Sequence, residues 1–146
     1  MRKILLATAL SVVATIGAAE GMVTYSSPDS YDDVVFGLES AILDAGLVID
    51  SVNHVGDMLE RTGPDVGSDV VIFENAEVYS FCSATLSRKV MEEDPMNLMF
   101  CPYTVFVARL PGADETIVGY RGYPEGPMKE VEAMLDGFAR EAAGLE

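Results

Sequence analysis

Two alternating segments near the carboxyl terminus, PYTVFVARL (102–110) and ETIVGYRGY (115–123), flank the turn PGAD. Alternation with a period of two is typical of β-strands, and a short turn between two such segments predicts an antiparallel hairpin. The pattern also indicates that one face of the sheet is covered and the other is not. These features favour an α+β fold, with helices on one face of an antiparallel sheet, over a doubly wound parallel sheet.

The remainder of the chain predicts alternating strands and helices with short connections. We expect strands at 22–27, 47–53 and 69–76, and helices at 31–46, from 54 to Gly63-Pro64, at about 80–94 and after Gly126-Pro127. Their order is β-α-β-α-β-α-β-β-α. No Gly-rich phosphate loop follows any strand, so nucleotide binding receives little support. No linker divides the chain, and residues 20–146 are therefore expected to form a single domain.

The first residues, MRKILLATALSVVATIGAAEG, have the pattern of a secretory signal peptide. Arg2 and Lys3 precede an apolar run that is shorter than the ~20 residues that a membrane-spanning helix requires. The small residues Gly17, Ala18 and Ala19 suit a signal peptidase, so we expect cleavage near Ala19. The mature protein is predicted to be periplasmic or secreted and not to be held in the membrane.

The charge balance restricts the class of partner. Loss of the two positive charges of Arg2 and Lys3 changes the formal net charge from −15 to −17. Binding to nucleic acid or to anionic lipid depends on lysine and arginine, so neither partner is expected. An acidic exported protein suits a basic protein partner, a cation or a small ligand, although the charge also simply favours solubility.

Cys82 and Cys101 are the two cysteines of the chain. In an oxidising compartment an even number of cysteines usually indicates a disulfide, which here would close a loop of twenty residues, counting both cysteines. A helix from Cys82 to Asp94 and an extended return from Met96 have nearly equal lengths, so the two cysteines are expected to lie at the same level.

A redox pair is the alternative to a structural disulfide. A cysteine near a helix N-terminus has a lowered pKa, and this placement would activate Cys82. The absence of a Cys-x-x-Cys motif argues against thioredoxin-like chemistry.

A soft-metal or haem site is the third interpretation. Met91, Met96 and Met99 lie between the cysteines, and thioether together with thiolate suits Cu(I). His54, the single histidine, precedes Met58 by four residues and could join them at copper or haem. The spacing is loose, and methionine more often fills gaps in a core. The candidate metal ligands are Cys82, Cys101, Met96, Met99 and His54.

Polar residues at the predicted exit of the third strand form a separate candidate site. Glu74, Asn75 and Glu77 could line a ligand pocket with His54, or they could form a solvated turn.

Three longer stretches suggest a family. The segments YDDVVFGLESAILDAGLVIDSVNHVGDML, VVIFENAEVYS and FCPYTVFV resemble the family called domain of unknown function 302 over about residues 25–142. The pairs FCSA and FCPY resemble an exported, cysteine-bearing branch of that family. The resemblance implies a curved antiparallel sheet with a topology similar to that of the TATA-binding protein, the two middle helices being insertions. It also implies a tendency to form homodimers, and it implies no reaction.

These observations favour a binding or accessory protein of the periplasm over an enzyme. It would hold a small ligand, a metal or a cofactor near Cys82, Cys101 and residues 74–77. The alternatives are a thiol-disulfide or sulfur-compound oxidoreductase that uses the same pair, and a partner protein that its disulfide only stabilises.

Overall fold

The computed structural model describes residues 21–145, and the predicted signal peptide therefore lies outside the described residues. Five strands and four α-helices alternate in the predicted order. The strands are β1 (Met22–Ser27), β2 (Val48–Asn53), β3 (Asn75–Cys82), β4 (Tyr103–Arg109) and β5 (Thr116–Arg121). The α-helices are α1 (Tyr31–Asp44), α2 (Val55–Thr62), α3 (Ala84–Glu93) and α4 (Met128–Ala142). Short 3-10 helices occupy Pro64–Val66 and Pro95–Phe100.

The strands form one antiparallel sheet in the order β1-β5-β4-β3-β2. The predicted hairpin is present as β4 and β5, which pair through Val105–Ala108 and Ile117–Tyr120. The amino-terminal strand β1 returns to the sheet beside β5 and forms one edge, whereas β2 forms the other. The predicted α+β fold with an antiparallel sheet is therefore confirmed.

Helices α1 and α4 supply the layer that covers the core face of the sheet. Val34, Leu38 and Ile42 of α1 are fully buried, as are Val131 and Leu135 of α4. Their apolar spacing is the helical pattern that the sequence shows, and it places one stripe of each helix on the sheet. Full burial of side chains of this size contributes about 1.5–3 kcal/mol each.

Local signals fix the ends of α1. The Ser30 hydroxyl accepts a hydrogen bond from the Asp33 N–H at 3.2 Å, which satisfies one of the free N–H groups of the first turn. After the helix, Gly46 has a φ of 75°, a left-handed conformation that is strained for a residue with a Cβ. The chain then turns directly into β2.

The third strand and third helix lie later in the chain than predicted. The prediction of a strand at 69–76 was wrong for residues 69–74, and the predicted helix start near Ser80 was also wrong. Residues 76–82 alternate as a strand, with Tyr79 and Phe81 in the core at 1% and 0% exposure. The Ser83 hydroxyl caps α3 by accepting from the Leu86 N–H, so the helix begins only after Cys82.

Among residues 21–145, no helix has the length and the apolar character needed to cross a bilayer.

A carboxylate on α4 connects that helix to two strands. Asp136 Oδ1 accepts hydrogen bonds from the Tyr25 hydroxyl of β1 at 2.5 Å and the Tyr120 hydroxyl of β5 at 2.7 Å. Burial and the Asp136 carboxylate both raise the pKa of Tyr120, because each disfavours a phenolate. The arrangement fixes α4 across the β1–β5 edge of the sheet.

Substitution of Asp136→Ala is therefore expected to destabilise the protein. It leaves the buried hydroxyl of Tyr120 without its acceptor, which costs about 1–3 kcal/mol. The exposed Glu141 on the same helix provides a matched control, because Glu141→Ala removes a surface carboxylate and is expected to change stability by less than about 0.5 kcal/mol. Urea unfolding followed by circular dichroism measures both, and equal losses in the two variants would contradict the assignment.

Candidate functional site

The two cysteines meet at one end of the β3–β4 pair. Cys82 is the last residue of β3, and Cys101 lies two residues before the start of β4. The ladder pairs Phe81 with Tyr103, so the residues just beyond it are brought side by side. The two Sγ atoms are 2.9 Å apart, and both residues are half-buried. The pairing of β3 with β4 therefore explains why the two cysteines lie close together, as expected. The prediction that the chain returns to Cys101 as an extended segment was wrong, because residues 95–100 form a 3-10 helix.

The environment of Cys82 differs from the one that the sequence suggested. Burial, followed by the contact with Cys101, raises the pKa of the Cys82 thiol to about 11. The direction of this shift is opposite to the lowered pKa that the sequence predicts for a cysteine near a helix N-terminus. A thiol with a raised pKa is a poor nucleophile near neutral pH.

The methionines of the cysteine loop lie on the 3-10 helix at 95–100. Met96 and Met99 are 67% and 72% exposed. Side chains three residues apart are eclipsed in a 3-10 helix, so both lie on the same side of this segment. Asp94 holds the start of the helix, since its side chain accepts from the Met96 N–H at 2.9 Å. Two thioethers are thus presented to solvent close in sequence to Cys101.

His54 lies in a second place, beside Glu77. The imidazole Nδ1 is 2.6 Å from Glu77 Oε1, and the Tyr79 hydroxyl donates to Glu77 Oε2 at 2.6 Å. The Tyr31 hydroxyl is buried nearby and has no hydrogen-bond partner among the described residues. Burial and the charge of Glu77 raise the pKa of Tyr31. This cluster joins the start of α1, the start of α2 and β3.

Glu74 and Asn75 contact β4 at the beginning of β3. The Glu74 N–H donates to the Arg109 carbonyl at 2.8 Å, and its carboxylate is 3.8 Å from Arg109 Nε. Asn75 is exposed and pairs with Arg109 in the ladder. These two residues therefore form the polar end of the β3–β4 pair, next to Glu77.

The sequence-predicted residues thus occupy two places. Cys82 and Cys101 lie at one end of β3, and Glu74, Asn75, Glu77 and His54 lie at the other. Cys82 follows Glu77 by five positions along β3, which corresponds to about 17 Å. Within residues 21–145, no three His, Cys, Asp or Glu side chains are grouped so as to hold a metal ion.

A cavity of about 400 Å³ lies on the sheet face that α1 and α4 leave uncovered, here called the open face. Its lining is almost entirely apolar and comes from four strands, the start of α2 and two connecting residues. The lining residues are Met22, Thr24, Val55, Phe73, Ala76, Glu77, Val78, Phe106, Val107, Ala108, Leu110 and Ile117. Ala76 and Glu77 connect this cavity to the predicted polar site.

Sequence reasoning missed the open-face cavity. A Cβ on Gly119 would lie 2.8 Å from the ring of Phe106, so a glycine at this position leaves space for that ring. The signal was present in β4, where VFVA (105–108) is apolar at consecutive positions and not only at alternate ones. A strand that is apolar on both faces indicates a second face that excludes water.

Comparison with known proteins identifies the scaffold. The family model described as Domain of unknown function DUF302 matches residues 23–124. The crystal structure of an uncharacterized conserved protein DUF302 from Bacillus stearothermophilus is similar, with a TM-score of 0.58 and 15% sequence identity. The similarity covers 84% of this chain and 93% of that one, and at this identity it shows the fold alone. A search of the curated proteins found no match.

In the reduced protein, the raised pKa of Cys82 predicts slow alkylation. Iodoacetamide is expected to modify Cys82 more slowly at pH 8 than it modifies a free Phe-Cys-Ser peptide, whose thiol has a pKa of about 8.5. The rate is expected to rise until about pH 11, because only the thiolate reacts. Peptide-level mass spectrometry follows Cys82 separately from Cys101. A midpoint below that of the free peptide would instead indicate activation by the helix terminus.

Proposed function

Because the chain belongs to the DUF302 family, whose description names no reaction, we propose a function from the geometry alone. The protein is an exported accessory protein that binds a small, mostly apolar ligand in the open-face cavity. Export is supported by the amino-terminal sequence pattern. Membership of the exported, cysteine-bearing branch of the family stays a prediction.

The observation that carries the proposal is the cavity itself. Ligand pockets in proteins typically enclose about 300–1,000 Å³ and have apolar walls with few polar groups. The open-face cavity has a volume of about 400 Å³ and a lining that fits this description. Val78 of β3, Phe106 of β4 and Ile117 of β5 are among its lining residues.

The polar neighbours of the cavity support a binding role over a catalytic one. Glu77 borders the cavity, but its side chain lies on the same face of β3 as Tyr79, and its two carboxylate oxygens are engaged by His54 and by Tyr79. A carboxylate that already accepts two short hydrogen bonds is a poor general base toward a third group. We therefore assign to this cluster the task of holding β3 and the start of α2 in place beside the cavity.

Substitution of Val78→Lys is expected to weaken binding of an apolar probe. The neutral fluorophore N-phenylnaphthylamine is expected to brighten on titration into the mature wild-type protein. Val78→Lys places an ammonium group in the apolar cavity, which costs free energy and is expected to weaken binding by about tenfold or more. Fluorescence titration gives both affinities.

Val48→Lys is the matched control. Val48 is also a valine on the sheet, is 70% exposed and lies outside the cavity on the edge strand β2, so this variant is expected to bind as the wild type does. Equal weakening in both variants would contradict the cavity as the site. Failure of the wild type to bind the probe while it sediments as a dimer would instead favour a second copy as the occupant of the open face.

A homodimer is itself a secondary proposal for this face. Its support is apolar exposure at both edges of the sheet, where Met22 is 68% and Val48 is 70% exposed. Exposed apolar patches on soluble proteins commonly mark interaction sites.

The cysteine pair carries a second candidate role, which we propose is a structural disulfide. The 2.9 Å separation of the sulfurs supports bond formation in an oxidising compartment. The raised pKa of Cys82 favours this role over a thiol-disulfide or sulfur-compound oxidoreductase. The remaining alternative is a Cu(I) or haem site formed by Cys82, Cys101, Met96 and Met99. Its support is that the side chains of both methionines are exposed to solvent.

The disulfide proposal predicts a stability that depends on reductant. Protein purified from the periplasm is expected to have no free thiols, and reduction is expected to lower the free energy of unfolding by about 3 kcal/mol. The double variant Cys82→Ser with Cys101→Ser is the control, since its stability should not respond to reductant. A reduction potential below about −300 mV would agree with a structural bond. Two free thiols together with stoichiometric copper or a Soret band would contradict it.

A further inference from the structure

The connection between α2 and β3 contains an apolar surface segment, residues 69–73, that has no regular secondary structure. Its sequence, DVVIF, has the β-branched and aromatic composition of a strand, which is why the sequence predicts one there. Yet Val70, Val71 and Ile72 are 70%, 66% and 47% exposed. Three consecutive branched apolar side chains are thus left in solvent.

The backbone of this segment is also unpaired. Within residues 21–145, the N–H groups of Val71, Ile72 and Phe73 donate to no acceptor, whereas the next residue, Glu74, bonds to Arg109 of β4. The Val70 N–H is satisfied only by the Ser68 side chain, at 3.4 Å. A run of free donors in a sequence with strand composition is a template for an added strand.

A groove accompanies the segment. A cavity of about 460 Å³ lies between α2 and residues 63–73, with Leu59 and Glu60 of the helix facing Asp69 and Val70 of the segment. The groove therefore has apolar walls, which suit the apolar side chains of a partner. It also has acidic groups among its lining residues.

Charge indicates the occupant. Residues 60–74 contain the acids Glu60, Asp65, Asp69 and Glu74 and a single base, Arg61. Asp69 and Glu74 flank residues 70–73. Antiparallel pairing of this segment with a second copy would bring these two acids opposite one another, and like charges directly opposite are destabilising. An extended chain carrying lysine or arginine would meet complementary charge.

We propose that residues 70–73 and the adjoining α2 groove form a docking site for an extended basic peptide segment of a partner protein, which adds as a strand. Its backbone carbonyls accept from the N–H groups of Val71 and Phe73, because alternate N–H groups of an extended chain point to the same side and the Glu74 N–H already points to β4. Its apolar side chains enter the groove, and its basic side chains meet Glu60 and Asp69. This site adjoins the open-face cavity at Phe73, which lines both, but its other residues do not line that cavity.

The test uses the mature full-length protein and two labelled peptides of equal charge. One is Lys-Val-Thr-Val-Lys-Val-Thr-Lys, and the other, Lys-Val-Pro-Val-Lys-Pro-Thr-Lys, cannot form a strand because its prolines lack N–H groups. Fluorescence anisotropy is expected to show about tenfold or greater preference for the first peptide. Val71→Pro, which removes a donor that makes no internal bond, is expected to weaken binding of that peptide by a similar factor.

Val71→Thr keeps both the N–H and the strand propensity, so it is the matched control and is expected to bind as the wild type does. Circular dichroism checks whether Val71→Pro folds. If it does not, the double variant Glu60→Gln with Asp69→Asn replaces it. This variant is expected to bind the first peptide more weakly and with a smaller dependence on salt concentration. The proposal is overturned if neither peptide binds, if both peptides bind equally, or if Val71→Pro instead dissociates a dimer of the chain.

Discussion

The pairing of β3 with β4 is the constraint on which the other features depend. Its register, with Phe81 opposite Tyr103 and Asn75 opposite Arg109, runs the full length of both strands at the centre of the sheet. One side of this pair presents Tyr79, Phe81 and Val105 to α1 and α4. The other side presents small and apolar residues to the open-face cavity. A slip of one residue would exchange these two faces, so the core and the cavity specify the same register.

The same register separates the polar chemistry into two ends. It brings the sulfurs of Cys82 and Cys101 together where the ladder stops. The pairing of β2 with β3, which ends with Asn53 opposite Val78, places His54 beside Glu77 at the other end of β3. At one end the thiol of Cys82 is desolvated, and at the other end the Glu77 carboxylate is engaged by His54 and by Tyr79.

The unpaired segment before β3 shows how local propensity and tertiary structure can disagree. Residues 69–73 have the composition of a strand, but the ladder with β4 begins only at Asn75, opposite Arg109. The chain between α2 and β3 must pass over the end of the sheet, and at Gly56 a Cβ would already lie 2.9 Å from the Ala76 amide nitrogen. Helix α2 therefore packs against the first residues of β3, and residues 69–73 remain outside the β3–β4 pairing.

The sequence by itself determined the order of the elements, the antiparallel hairpin and the two covering helices. Periodicity and capping residues such as Ser30 act over a few neighbouring positions, so they can be read without knowledge of distant contacts. The meeting of Cys82 with Cys101, the partner of His54 and the open-face cavity were decided by tertiary structure. Each depends on which residues of β3 lie opposite which residues of its neighbours β2 and β4, and that choice is made by simultaneous burial of side chains from strands and helices far apart in the chain.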